Sequence, residues 1–180
     1  MIRVKHRFIR HHINRKTETL IIGTFNPDVI DNPADFFYGR SQNHLWKLLP
    51  AAFNEKNLKN SPKSEKLKFI KNYKIDFIDL ITEIEIDEGE ETNYSDKYID
   101  KKATNWKDVI SEINNLKQLK RVCFTRKTFS GIQNIKVNVE SIQRHCNNNK
   151  VNFKSLITPA RFYSGYKQKE WTKFLNSIQE

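Results

Sequence analysis

The sequence predicts a three-layer α/β/α fold built on a central four-stranded parallel sheet. Three observations predict it. Short apolar runs bounded by turn residues occur four times and read as strands buried on both faces. Segments with apolar residues at helical spacing lie between them. No internal repeat or low-complexity linker breaks this alternation, which is the pattern of parallel strands joined by crossover helices. At 180 residues the chain is long enough for a sizeable core, and a single domain over residues 1–180 is expected.

The elements follow in order. Residues 1–16 carry His6, Arg7, Arg10, His11, His12, Arg15 and Lys16. They read either as a basic N-terminal arm that touches phosphates or as a solvated lead-in, with Phe8, Ile9 and Ile13 available to pin them down. The first strand is 19–23, an apolar run ending at Gly23. A helix over 44–53 carries Leu45, Trp46, Leu48 and Leu49. A lysine- and asparagine-rich loop with Pro62 leads to a short helix near 65–72. The second strand is 74–81. An acidic run over 84–94 (Glu85, Asp87, Glu88, Glu90, Glu91) reads as a surface loop facing away from a polyanionic partner. Trp106, Val109, Ile110 and Ile113 place a helix over 105–115. The third strand is 121–125. A short helix over 127–133, an alternating segment over 136–139 and a helix over 140–147 follow. The fourth strand is 153–158, and a helix over 169–178 closes the chain.

Composition narrows the partners. Lys and Arg number 32 against 21 Asp and Glu, a formal charge of +11 with a pI near 9.6. Such a balance favours polyanions, nucleic acid first among them. A solubility trait is the plainer reading. No amphipathic basic helix or lipidation motif supports a membrane surface. No apolar run is long enough for a transmembrane helix, and the basic N-terminus lacks the apolar stretch of a signal peptide. A cytoplasmic monomer is expected. The two cysteines, Cys123 and Cys146, are too few for an iron–sulfur cluster or a four-thiolate zinc site. No cofactor and no metal are expected.

The chemistry is concentrated between Leu20 and Leu49. In open α/β sheets, ligands bind outside the carboxyl ends of the strands. Gly23-Thr24-Phe25-Asn26-Pro27 falls there. The loop has neither GxGxxG nor GxxxxGK[ST], which leaves dinucleotide and P-loop readings without support. Further on comes Phe37-Tyr38-Gly39-Arg40-Ser41-Gln42-Asn43-His44-Leu45-Trp46.

These motifs resemble the uracil-DNA glycosylase superfamily, and most of all its mismatch-specific and deoxyinosine (hypoxanthine) branches. Those branches carry Gly-x-x-Pro or Gly-x-Asn-Pro after the first strand, then an aromatic pair, a short turn, and Asn-x-Phe-Trp opening a helix. Asn43-His44-Leu45-Trp46 is similar to the last, with Leu45 for the usual Phe. The segments 75–81, 95–99, 124–127 and 156–160 resemble later motifs in the same order.

The resemblance implies a monofunctional DNA glycosylase that excises a deaminated or mismatched base, uracil or hypoxanthine, from DNA. Such an enzyme must flip its target out of the stack and hold the backbone through basic side chains. It implies Asn26 and Asn43 as the catalytic pair, one reading the base and one positioning water; an amide offers both donor and acceptor. The plainer readings are a turn residue before Pro27 and a helix N-cap. Tyr38 is the candidate for stacking on the base, with Phe25 and Phe37 behind it, and Gly23 and Thr24 complete the base pocket. Phe36 and Phe37 also read as core residues. Arg40, Thr158, Pro159, Arg161 and Phe162 would contact DNA, the last two as a wedge in the gap left by the flipped base. Asp28 stands where the family has Gly, the last loop lacks the histidine of some branches, and the first motif offers no carboxylate as a strong base.

Two other readings stay open. Asp76, Asp79, Glu83 and Glu85 could form the carboxylate site of a metal-dependent nuclease. The chain could instead be a non-catalytic nucleic-acid-binding module.

Overall fold

The computed structural model describes residues 1–90, 93 and 95–177. Along the chain lie β1 (Ile2–Lys5), β2 (Thr19–Gly23), α1 (Leu45–Ala51), α2 (Lys63–Asn72), β3 (Ile75–Asp79), β4 (Ile81–Ile86), α3 (Asp96–Lys102), β5 (Ala103–Trp106), α4 (Val109–Asn114), β6 (Arg121–Phe124), α5 (Gln133–Asn148), β7 (Asn152–Ser155) and α6 (Gly165–Leu175).

Four strands form a parallel sheet in the order β3-β2-β6-β7. β2 is central, and every one of its residues is buried. That is why it reads as an unbroken apolar run. Its side chains alternate between two cores. Leu20 and Ile22 join Val122 and Phe124 under Ile135, Val139, Ile142 and Cys146 of α5. Ile21 joins Phe77 and Cys123 under α1 (Leu45, Trp46, Leu48, Leu49) and α6 (Trp171, Phe174). Helices therefore cover both faces of the sheet. Both cysteines are buried and free. Burial pushes the Cys146 thiol up to about 11 and the Cys123 thiol higher still.

The helices begin where the sequence supplies acceptors. Ser95, Asp108 and Ser164 cap α3, α4 and α6 through their side chains. The Asp100 carboxylate, from α3, accepts the backbone N–H groups of Asn134 and Ile135 at the start of α5. Such groups would otherwise be orphaned. No described helix is long and apolar enough to cross a membrane.

Several expectations are corrected. A second, antiparallel sheet in the order β1-β4-β5 was not foreseen. Residues 81–86, partly assigned to an acidic loop, are its central strand: Ile81, Ile84 and Ile86 face the core and Glu83 and Glu85 do not. Glu91, Thr92 and Tyr94 of the acidic run lie outside the described residues. The second parallel strand ends at Asp79, not 81. Residues 105 and 106, placed at the start of a helix, belong to β5, and that helix begins at Val109. Residues 136–139 lie within α5, where Ile135, Val139, Ile142 and Cys146 line one buried face. Residues 127–132 form no helix. Ile178, placed in the last helix, is outside the described residues.

The N-terminal segment does not stand off as an arm. β1 pairs with β4, and the chain then runs on beside the first-motif loop, with His6 bridging to Pro27. His11 Nε2 donates to Asp76 Oδ1 at 2.7 Å. The Arg7 guanidinium donates to the carbonyls of Val29 and Asn32. The segment thus packs against β3, the edge strand of the parallel sheet, through the Asp76 and Asp79 carboxylates. Arg10, His12, Arg15 and Lys16 remain exposed.

Candidate active site

The carboxyl ends of the parallel strands open into a cleft of about 770 Å³. Its wall is drawn from residues 23–26, 37–43, 95–97, 125–128 and 157–161 together with Asp79, and the second and last of these segments are tied to the scaffold. Trp46 in α1 donates its indole N–H to the Phe37 carbonyl at 2.7 Å. Trp171 in α6 does the same for Ile157 at 3.0 Å. The 40–44 loop and the last loop are joined by a bridge between Asn43 and Ala160. The backbone bonds from His44 to Pro159 and from Arg161 to Gln42 extend it. Lys167, 3 % exposed, donates to the Ala160 and Phe162 carbonyls at 2.8 Å each. Two buried tryptophans and one buried lysine thus set the loop shapes.

The cleft wall contains Gly23, Thr24, Phe25, Asn26, Tyr38, Arg40, Asn43, Thr158, Pro159 and Arg161. The sequence had singled out every one of these. Phe162 is not part of the wall. It projects next to it, 61 % exposed, with the Lys167 ammonium 4.2 Å from its ring centre. Phe37 touches the cleft but is 3 % exposed, its ring enclosed by Phe8, His11, Phe36 and Phe77. It is a core residue, as is Phe36. Tyr38 and Phe25 are left as the accessible aromatics. Tyr38 and Arg161 both have positive φ, 57° and 75°, a region that costs a non-glycine residue energy and that concentrates at functional sites.

The two asparagines are locked in a way that the sequence did not reveal. Asn32 Nδ2 donates to the Pro27 carbonyl at 2.7 Å and to Asn26 Oδ1 at 2.6 Å. Asn32 Oδ1 accepts the Ala34 N–H. Because a carbonyl must face an N–H, these bonds fix both amides. Asn26 is 7 % exposed. With its oxygen occupied, its NH₂ is left without a partner among the described residues. Asn43 Oδ1 accepts the Leu45 N–H at 2.9 Å. It therefore holds the first N–H of α1 from the position before the N-cap His44, and its NH₂ is also left over among the described residues. Both residues line the cleft with donors to spare.

A carboxylate shares the floor. Asp79, at the tip of β3, lies opposite Gly23 in the parallel register. A Cβ on Gly23 would fall 2.2 Å from Asp79 Oδ1 and 2.8 Å from the Tyr38 hydroxyl. Glycine is what lets both groups reach the cleft. The Tyr38 hydroxyl is 3.4 Å from Thr125 Oγ1. Burial, and then the Asp79 charge, hold it well above the ordinary phenol range. Both disfavour the phenolate. At the rim, burial and then the Lys59 charge lower His44. Cations predominate around the cleft: Arg40, Lys97, Arg126, Lys127 and Arg161 against Asp79 and Asp96. Arg126 is paired with Asp96 and Lys127 with Glu170.

No family model matches the chain, and no curated protein matches it. Among solved structures, it is similar to the solution NMR structure of a proposed uracil DNA glycosylase from Methanosarcina acetivorans. The TM-score is 0.59 and the identity 20 %, with 91 % of each chain covered. The two chains share a fold.

The carboxylates of the nuclease reading do not converge. Asp76 is engaged by His11 and by the Asn14 N–H, and Asp79 by His6. Glu83 and Glu85 belong to the other sheet. Among the described residues, no three His, Cys, Asp or Glu side chains gather as a metal site. Asp28 is exposed and outside the cleft wall. Its N–H donates to the Lys5 carbonyl.

Proposed function

We propose that the chain is a monofunctional DNA glycosylase that acts as a single-domain monomer, without a cofactor, on DNA with a deaminated or mismatched base. The observation that carries this reading is the gathering of Asn26, Asn43, Tyr38 and Asp79 in one cleft. That cleft has a cationic rim and sits where open α/β sheets place their ligands.

The chemistry follows from the groups present. A flipped uracil or hypoxanthine offers carbonyl oxygens, and the free NH₂ groups of Asn26 and Asn43 are donors suited to them. As the glycosidic bond breaks, negative charge grows on the base. Fixed donors aimed at that charge stabilise the transition state more than the ground state. Tyr38, or Phe25, gives the base a face to stack on, worth about 1–3 kcal/mol. Arg40, Thr158 and Pro159 face the strand. Arg161 and Phe162, on a loop braced by Lys167, enter the gap that flipping leaves. The shared fold with a proposed uracil DNA glycosylase supports the same class of chemistry.

The test is incubation in EDTA with labelled duplexes that carry one U·G, T·G or I·T site, followed by alkali. Strand breaks at one lesion are expected. No break on any duplex or single strand, with tight lesion binding, would replace this reading with a binding module. Cleavage that appears only with magnesium would replace it with a nuclease.

A further inference from the structure

The cleft contains an acceptor that neither asparagine provides. Hydrolysis needs a water oriented toward the sugar, and a group that takes one of its hydrogens. The amide oxygens of Asn26 and Asn43 already accept internal hydrogen bonds, and a neutral amide is a weak base. Asp79 differs. Its Oδ2 accepts a hydrogen bond from His6 Nε2 at 2.7 Å. Its Oδ1, beside Gly23, has no partner among the described residues.

His6 fixes this carboxylate. The residue is 5 % exposed, wedged edge-on against Phe8 and Phe25. Its Nδ1 accepts the Phe8 backbone N–H at 3.0 Å, so that nitrogen carries no proton. The proton must then sit on Nε2 and point at Asp79. Backbone bonds hold His6 in turn: its N–H donates to Thr82, and the next N–H, from Arg7, donates to Asn26. One extended segment thus anchors both the histidine behind the carboxylate and the loop that carries Asn26.

We infer that Asp79 is the catalytic carboxylate that orients the attacking water, and that His6 from the N-terminal segment is its positioning residue. This rests on the glycosylase reading. In the step, the C1′–N bond breaks and its electron pair leaves with the base. The water oxygen bonds to C1′, and a water proton passes to Asp79 Oδ1. The departing base takes a proton from solvent, and Asp79 returns its own to solvent after product release. His6 keeps its proton throughout.

Single-turnover excision on the duplex that the wild type cleaves fastest tests this. It is paired with affinity for the same duplex carrying a 2′-fluoro nucleotide that resists cleavage, and rates are scaled to the fraction of chains that bind this analogue. Asp79→Asn should slow excision about 100-fold or more, as loss of a general base does, with affinity little changed. His6→Leu should slow it about 10- to 100-fold through misplacement alone. His6→Gln, whose amide N–H reaches about as far as Nε2, should recover most of that loss. A merely structural histidine would move the melting temperature but not the scaled rate. If the wild type excises bases and Asp79→Asn does so within about threefold of it, this inference falls and the glycosylase reading stands. If the wild type excises nothing, both fall.

Discussion

Replacing Gly23 with alanine adds one carbon and should disable the cleft. Gly23 is not among the residues with positive φ, so its backbone accepts alanine and the penalty is spatial. The new Cβ would sit 2.2 Å from Asp79 Oδ1 and 2.8 Å from the Tyr38 hydroxyl, and real carbons do not approach that closely. Tyr38 packs on Phe77 with ring centres 5.7 Å apart and has little room to retreat. Asp79 must swing, which breaks its bond to His6 and leaves a carboxylate, 8 % exposed in its side chain, without its donor. Overpacking of this kind costs about 1–3 kcal/mol, and an orphaned buried polar group costs a similar amount. Both describe one displacement, so the expected loss is about 1–3 kcal/mol, not their sum. For a chain of this size, each kcal/mol lowers the melting temperature by about 2–4 °C, which gives a drop of about 2–12 °C. Excision should fall about 100-fold, because the displaced atom is the one facing the reaction. Thermal melting by circular dichroism and single-turnover excision read the two effects. A Gly23→Ala protein that melts within about 1 °C of wild type and excises at the wild-type rate would refute the packing of Asp79 against Gly23.

Three further expectations concern the supports. Asn32→Ala removes the donor that fixes the Asn26 amide; excision should slow about 10- to 100-fold while lesion-free DNA binds as before, and a wild-type rate would contradict the locked orientation. Lys167→Met keeps the stem but deletes the ammonium that holds the Ala160 and Phe162 carbonyls; a stability loss of about 1–3 kcal/mol in urea titration and weaker lesion binding are expected, and unchanged binding would free the last loop from the site. Glu18 is held below its ordinary 4.5 by Lys120 and then Lys74. Its lowered folded value means that its contribution is complete above pH 4.5 and is lost as pH falls through the folded value. Wild type should exceed Glu18→Gln by about 1 kcal/mol at pH 7, the two curves merging in acid; a gap that widens in acid would contradict the sign.

The sequence carried the parallel sheet and most of the cleft wall because both depend on local signals. β2 is a buried apolar run ending in glycine, and the loops after β2 and β7 carry asparagine, proline and arginine in a recognisable order. Asp79 entered only the nuclease reading, and its place in the cleft was missed for one physical reason. Ile75 to Ile81 is a continuous apolar pattern, and only the register against Gly23 shows that the parallel strand stops at Asp79. Leu80 and Ile81 turn off along the first-motif loop, donating to the carbonyls of Gly23 and Thr24. The antiparallel sheet was legible in part. Ile81, Ile84 and Ile86 interleave with glutamates as a half-buried strand should, but the dense negative charge obscured the alternation. β5 brings only Ala103 and Trp106 to the core, with Thr104 and Asn105 exposed between them; that is no alternation, and it is strand because β4 offers it an edge. The roles of His6 and Asn32 come from partners 73 and 6 residues away, and spacing does not encode such contacts.

Release of free base tests the central claim most directly. Wild type and an Asn26→Ala, Asn43→Ala double variant, purified side by side, would be incubated in EDTA with single-lesion uracil and hypoxanthine duplexes, and the liberated base identified by mass spectrometry. The account expects the wild type to release one of these bases and leave an abasic site, and the double variant to release neither. Release by neither protein, or equal release by both, would contradict it.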